Sequence, residues 1–416
     1  MKAFESKGTA TFELVGKAKI SNYTFKMDVD SKNSDWVRNI LGLVVDCGYG
    51  NEVIANMSGG YGSSRANVCY VHGKKASLDK DGNPRVKEVN GKKIPIMTDD
   101  YENIYTIAWE DRFDEAILKE IGEGSFIKVG ILKDKDGKTF TEKFLSAYDA
   151  IAYLEQHKEE INGKVIRVNG DVKYNLYNGA TKVEKEIKSI YVSAVEEDKF
   201  KAEFTQTILV DKKCVGKKDK DTGLFEVDAY VLESMKKYDN KDIPKELFPK
   251  NKQGKTKKSA NIPLVRTFYI DNEQLDKMLF SKTKKGMLTE MIAIGKIVEG
   301  KAKEKISVED LDDDMKMLIE SGMYTLEQLA ETTAIKSERV QNWIIKRPLV
   351  KMVGKNEDEK TPQMQVFYDK YEEDDVVLTF LAEEEVDEDD VTTEEAYESD
   401  DAVDEADDDD SWLNEL

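Results

Sequence analysis

Apolar and polar residues alternate along most of the first 210 positions. Over residues 164–174, Val165, Val168 and Val172 interleave imperfectly with Lys164, Arg167, Asp171 and Lys173, which predicts a strand with one buried face and one wet, basic face. Gly163 and Gly170 interrupt the run, as glycines do at bulges and barrel corners. Tyr177-Asn178-Gly179 then supplies a hairpin turn, and Val183, Ile187, Ile190 and Val192 bring the chain back. Just upstream, Ile151, Leu154 and Ile161 fall at helical spacing. Further strand patterns occupy 9–30, 36–46, 51–57, 103–109 and 199–210. The Asp-Lys-Asp-Gly sequences at 79–82 and 134–137 lack the later ligands of a calcium loop and read as hairpin turns.

The second half reads differently. Residues 211–258 are rich in lysine and turn formers around one strand-like segment, and a strand-like run closes at Asp271. From 272 to about 346 the pattern turns helical. Leu326, Leu329 and Ala330 lie at helical spacing, the run breaks over 332–335, and Ser337 begins a second helical pattern with Val340 and Trp343 inward. This spacing is similar to the helix-turn-helix of DNA-binding proteins, with Ala334 where that family usually has glycine. The resemblance implies that Lys336, Ser337, Arg339, Gln341 and Asn342 face a DNA groove.

A short helix followed by the hairpin of 161–193 resembles the closing part of the OB-fold in single-stranded DNA-binding proteins. There a helix bridges a β-barrel, and a hairpin carries basic and aromatic residues outward. The resemblance implies a site in which cations neutralise phosphates and aromatic rings stack on bases. The candidates are Trp36, Arg38, Tyr61, Arg65, Tyr70, Lys74, Lys75, Lys164, Arg167, Lys173, Tyr174 and Tyr177.

Charge separates the chain into two parts. From 369 to 416 there are 24 acidic residues and one lysine, a net of −23 against −21 for the whole chain, which leaves +2 on the body. So acidic a segment cannot bury enough apolar surface to offset its ordering entropy, which predicts disorder. It nevertheless ends in Ser-Trp-Leu-Asn-Glu-Leu, and this resembles the partner-recruiting tail of bacterial and phage single-stranded DNA-binding proteins. By that resemblance Trp412, Leu413 and Leu416 would anchor a replication or repair protein, although the family tip is commonly phenylalanine.

Three dispersed cysteines (Cys47, Cys69 and Cys214) predict no disulfide framework and fit a reducing cytoplasm. Two distant histidines and the absence of a nucleophile elbow, a zinc-protease motif or a P-loop ending predict neither a catalytic site, a metal nor a cofactor. The expected fold class is therefore α+β: a mainly antiparallel OB-fold-like domain over 1–210, a basic loop-rich extension over 211–271, a helical domain with the helix-turn-helix-like unit over 272–368, and a disordered acidic tail over 369–416. The expected function is that of a phage-type single-stranded DNA-binding protein in phage DNA replication, recombination or repair, with the acidic tail recruiting partner proteins. Two alternatives are a sequence-specific duplex regulator or origin-binding protein, and a non-catalytic structural phage protein.

Overall fold

Alternating burial builds the first half strand by strand. The computed structural model describes residues 2–79, 81–89, 92–177, 179–220, 222–250, 254–300, 311, 313–323, 325, 340–354 and 360–381. In chain order the elements are β1 (Ala10–Lys19), β2 (Phe25–Asp30), β3 (Trp36–Asp46), β4 (Glu52–Gly62), β5 (Val68–Ala76), β6 (Val86–Val89), β7 (Lys92–Pro95), β8 (Met97–Ala108), α1 (Glu115–Glu120), β9 (Ile127–Gly130), β10 (Glu142–Phe144), α2 (Ala147–Gln156), α3 (Lys158–Ile161), β11 (Val165–Tyr177) and β12 (Ala180–Val192). Strand β1 pairs with β3 and β11, β3 with β4, and β11 with β12, all antiparallel. A parallel bridge from Glu186 to Asn56 joins β12 to β4. This closes a five-stranded Greek-key barrel with the connectivity of the OB-fold. Helix α2 enters between its third and fourth strands, capped by Ser146, whose Oγ accepts from the Tyr148 amide at 3.1 Å. Its Ala150, Ile151 and Leu154 are buried.

The same connectivity then repeats. The elements are β13 (Lys201–Val210), β14 (Val215–Lys218), β15 (Phe225–Met235), β16 (Lys237–Tyr238), β17 (Lys241–Asp242), β18 (Ala260–Ile270), α4 (Glu273–Met278), β19 (Met287–Gly300), α5 (Asp313–Glu320), β20 (Val340–Pro348), β21 (Val350–Val353), β22 (Thr361–Met364) and β23 (Val366–Glu372). Strand β13 pairs with β15 and β19, β15 with β18, and β19 with β20, again antiparallel. A parallel pairing of β18 with β20 closes the ring, and α4, capped by Asn272, sits between its third and fourth strands as α2 does in the first.

The expected fold class is corrected accordingly. The chain is mostly β, with fifteen strands in one large mixed sheet, and there is no helical C-terminal domain among the described residues. Val340 to Pro348, read as part of a recognition helix, is a strand in which Trp343 and Ile345 point inward at 2% and 0% exposure. A spacing of three between Val340 and Trp343 suits a helix, but the alternation of Trp343 and Ile345 suits a strand, and the barrel supplies the partners that decide between them. Gln341 and Asn342 lie in that strand opposite Glu299 and Val298. The remaining members of the unit, Lys336, Ser337 and Arg339, lie outside the described residues. The acidic tail was expected from 369, yet 369–381 belongs to the body: β23 pairs with β19, and Val376 is buried. The rest of the tail, with Trp412, Leu413 and Leu416, lies outside the described residues.

The two barrels meet through their first strands. Residues 10–15 of β1 pair antiparallel with 201–206 of β13, along the stretch where β1 makes no pairing with β3. At the centre of this seam four residues line up across four strands: Gly170, Phe12, Phe204 and Gly295. Both glycines also mark register slips against the next strand, β12 or β20. A Cβ on Gly170 would come within 1.9 Å of the Glu186 carbonyl oxygen, and one on Gly295 within 2.3 Å of that of Ile344. Backbone cannot move aside as a side-chain tip can. Gly170→Ala and Gly295→Ala are each expected to lower the unfolding free energy by about 1–3 kcal/mol, read as a lower urea midpoint. An alanine at Gly216, whose nearest neighbour would be 3.6 Å away, serves as the control.

Candidate nucleic-acid interface

Strands β3 and β4 are in register from Trp36 opposite Gly62 to Asp46 opposite Glu52. Because side chains alternate between faces, Leu41, Leu43, Val45, Val53, Ala55 and Met57 fill the barrel and are at most 2% exposed. The same alternation turns Trp36, Arg38, Asn56 and Ser58 outward. Gly60 and Gly62 lie opposite Arg38 and Trp36, so bare backbone borders those two side chains.

The rim of this face is held by Asp35. Its carboxylate accepts hydrogen bonds from the Ser64 hydroxyl at 2.6 Å and the Ser64 amide at 3.1 Å, and pairs with Arg65 at 2.6 Å. The Ser64 bonds foremost, with the Arg65 cation behind them, hold its pKa below the usual carboxylate range. Arg65 is thereby set with its guanidinium 5.9 Å from the centre of the Trp36 ring, within cation–π range. The Arg38 Nε and the Asn56 Oδ1 are enclosed and have no hydrogen-bond partner among the described residues. Such groups are costly to leave unmade.

The other sequence candidates scatter. Tyr61 points to the opposite side from Arg38, packing its ring 5.2 Å from Tyr148 and 5.7 Å from Trp109, so it anchors α2. Tyr70 is 70% exposed on β5. The Lys74 ammonium donates to the Lys119 carbonyl, and Lys75 pairs with Asp100 at 3.0 Å. Lys164 is exposed in the turn before β11. Arg167 pairs with Glu13 at 3.1 Å and Lys173 with Glu186 at 2.7 Å. Burial works against charge on Glu186, but the ammoniums of Lys188 and Lys173 outweigh it and hold its carboxyl below the usual range. Tyr177 ends β11.

Tyr174 is a core residue and presents no face to a base. It is 0% exposed, and its hydroxyl donates to Gln206 at 2.9 Å; burial pushes its pKa up to about 12. Beside it lies a buried polar joint between the barrels. Arg266 packs over the rings of Trp343, Phe268 and Tyr174 at 4.0, 5.0 and 5.3 Å. Lys185 of the first barrel pairs with Glu299 of the second at 2.9 Å, and the Trp343 indole donates to the same carboxylate oxygen at 3.3 Å.

Sequence reasoning picked out Trp36, Arg38 and Arg65 but missed Asn56 and Ser58. The period-two alternation of β4, with Asn56, Ser58 and Gly60 on one side, was the available signal.

The matching face of the second barrel, on β15 and β18, is unlike the first. Leu232 and Asn261 there are buried under the N-terminal segment; Phe4 packs with Leu209, Leu232, Leu288 and Val376, and its carbonyl accepts from Asn261 at 2.7 Å. Glu226 and Asp228 occupy the outward positions farther along β15. This face is half-covered, and its open part carries these two carboxylates.

The family model described as YorF matches residues 120–274, well under half of the chain. No curated protein matches it. Among solved structures, the chain is similar to the wild-type single-stranded DNA binding protein from Thermus aquaticus, at 12% identity and a TM-score of 0.27, over 71% of this chain and 87% of that one. A deletion mutant of the same Thermus aquaticus protein is similar at 11% identity and a TM-score of 0.26, over 70% and 86%. A likeness this faint bears on neither residues nor activity. Among the described residues, no helix is long and apolar enough to cross a membrane.

The contrast between Tyr174 and Tyr70 is testable by stability. Tyr174→Phe leaves the Gln206 carbonyl oxygen unpaired in the core and is expected to cost about 1–3 kcal/mol. Tyr70→Phe is expected to stay within about 0.5 kcal/mol of wild type. Urea unfolding followed by circular dichroism reads both.

Proposed function

We propose that this chain is a single-stranded DNA-binding protein that works by binding, without catalysis, in DNA replication, recombination or repair. The observation that carries the reading is the outer face of β3 and β4. It combines a tryptophan ring at the rim, a cation beside that ring and the outward-turned Arg38. A base stacks on Trp36, while Arg38 and Arg65 take the phosphates on either side. Asn56 and Ser58 offer hydrogen bonds to sugar or base edges, and stacking keeps the grip tolerant of sequence because every base has a π face. One strand per chain follows, since the second barrel's face is half-covered and bears carboxylates where it is open.

The acidic C-terminal segment acts in the same reading as a recruiting tail, with Trp412, Leu413 and Leu416 anchoring a replication or repair protein. Its charge also competes with DNA for the basic side chains of the body, a competition screened over roughly 10 Å at 0.1 M salt. Deleting residues 382–416 is expected to tighten oligo-dT binding at low salt and to change it little at high salt. Equal affinity at both salts would reduce the segment to a solubiliser.

The central test is fluorescence titration with oligo-dT across a salt series. Trp36→Ala is expected to cost about 1–3 kcal/mol, roughly 5- to 150-fold in affinity. Arg38→Gln is expected to flatten the log-log salt slope by about 0.7. Absence of oligo-dT binding by the wild type, or full affinity in Trp36→Ala, would overturn the reading.

A further inference from the structure

Between the third strand of the first barrel and helix α2 the chain makes a long two-stranded excursion. Its root is fixed. Asn67 clasps Gly62 through two bonds of 2.8 Å, one to the amide and one to the carbonyl. Cys69 and Val71 of β5 and Ile107 of β8 pack with Ile121 and Phe126 in a small separate core. Register slips between His72 and Gly73; Gly73 still bridges to Ile121, Asp99 accepts from the amides of Glu123 and Gly124, and beyond these contacts the ribbon leaves the body. From 78 to 98 every described side chain except Ile96 is exposed, including Leu78 at 57%, Val86 at 48% and Ile94 at 42%.

A hairpin with no core of its own gains little stability from its own contacts, so what its surface offers decides its use. Residues 74–98 hold seven basic and three acidic residues, a net charge of +4 on a body that, over residues 1–381, totals −2. Arg85, Lys87, Lys92 and Lys93 make no ion pair among the described residues. The pairing of Lys87 with Ile94 and of Val89 with Lys92 sets Arg85, Lys87 and Lys92 along one face of the β6–β7 tip. There is no aromatic residue between Gly73 and Asp100, so the tip has nothing on which a base could stack. The root differs, with Tyr70 70% exposed and Tyr101 64% exposed.

We infer that the β5–β8 ribbon is a duplex-gripping arm, which seats the protein where single-stranded DNA meets double-stranded DNA. The inference rests on the single-strand reading of the β3–β4 face and extends it. A protruding two-stranded ribbon fits the major groove of B-form DNA, about 12 Å wide, and its cations meet phosphates without needing unstacked bases. The ribbon springs from the rim where Trp36 and Arg65 sit, so a strand leaving that rim passes the root tyrosines before it pairs. The nine residues from Asp100, opposite Gly73, to Lys92 at ~3.3 Å each carry the tip about 30 Å outward, enough to lie along several base pairs.

The test compares full-length wild type with the fourfold variant Arg85→Gln, Lys87→Gln, Lys92→Gln, Lys93→Gln. The probes are oligo-dT, the same oligo-dT joined to a short duplex, and the duplex alone, each across a salt series. These side chains are exposed and make no hydrogen bond or ion pair among the described residues, so the variant's melting temperature should match wild type. Wild type is expected to prefer the junction to oligo-dT roughly tenfold or more at low salt, with a salt slope steeper by about 3 to 4, near 0.9 per cation. The variant is expected to lose that preference and to keep its oligo-dT affinity. Oligo-dT binding without a junction preference, or a preference that survives in the variant, would overturn the arm while leaving the single-strand reading intact. Wild-type binding to the duplex alone and not to oligo-dT, abolished in the variant, would keep the arm and overturn the proposed function.

Discussion

Everything in this molecule hangs on one row of four residues, Gly170, Phe12, Phe204 and Gly295, laid across the seam between the barrels. In each barrel a phenylalanine on the first strand sits beside a glycine on the fourth, at 3% and 1% exposure for the two rings. The absence of a Cβ lets the fifth strand's carbonyl approach the glycine closely, which bends the sheet enough to close a small barrel. The same row is where β1 and β13 pair, so the element that closes each barrel also joins them. The two barrels repeat one solution to the problem of burying a curved sheet.

The joint is reinforced by buried charge. Lys185 and Glu299, 6% and 7% exposed, meet across the barrels, and Trp343, Arg266 and Tyr174 pack around them. Burial disfavours the Arg266 cation and lowers its pKa, while Tyr174 and Glu299 favour the charged form. Such a pair adds little net stability over an apolar pair of the same shape, but losing one partner costs about 3–5 kcal/mol. Its effect is to make one relative placement of the barrels far better than its neighbours.

Duplication of the fold did not duplicate the surface. The first barrel leaves its β3–β4 face open, with Trp36, Arg38 and Asn56 on it. The second buries Leu232 and Asn261 of the matching face under Phe4 and keeps acidic Glu226 and Asp228 beyond them. The N-terminal segment and the turn after β23 therefore close one surface, and chemistry concentrates on the other. The extension between β4 and α2, which the second barrel lacks, adds to that same open side.

The sequence by itself determined the local periodicities: the 161–193 hairpin, its bulge at Gly170, the helix before it, and the acid-rich C-terminal segment. It also singled out Trp36, Arg38 and Arg65, because polar and aromatic residues alternating with apolar ones mark an outward face. It could not tell Tyr174 or Tyr61 from a stacking ring, since an aromatic on a strand serves core and surface equally and only the partners opposite it decide. Val340 to Trp343 read as helix because a spacing of three suits that period, and it was the pairing of β20 with β18 and β19 that made it a strand. The second barrel was illegible because its strands are separated by lysine-rich loops, and closure depends on parallel pairings between residues seventy or more positions apart. Long-range backbone pairing leaves no local signature, so only the tertiary structure could decide it.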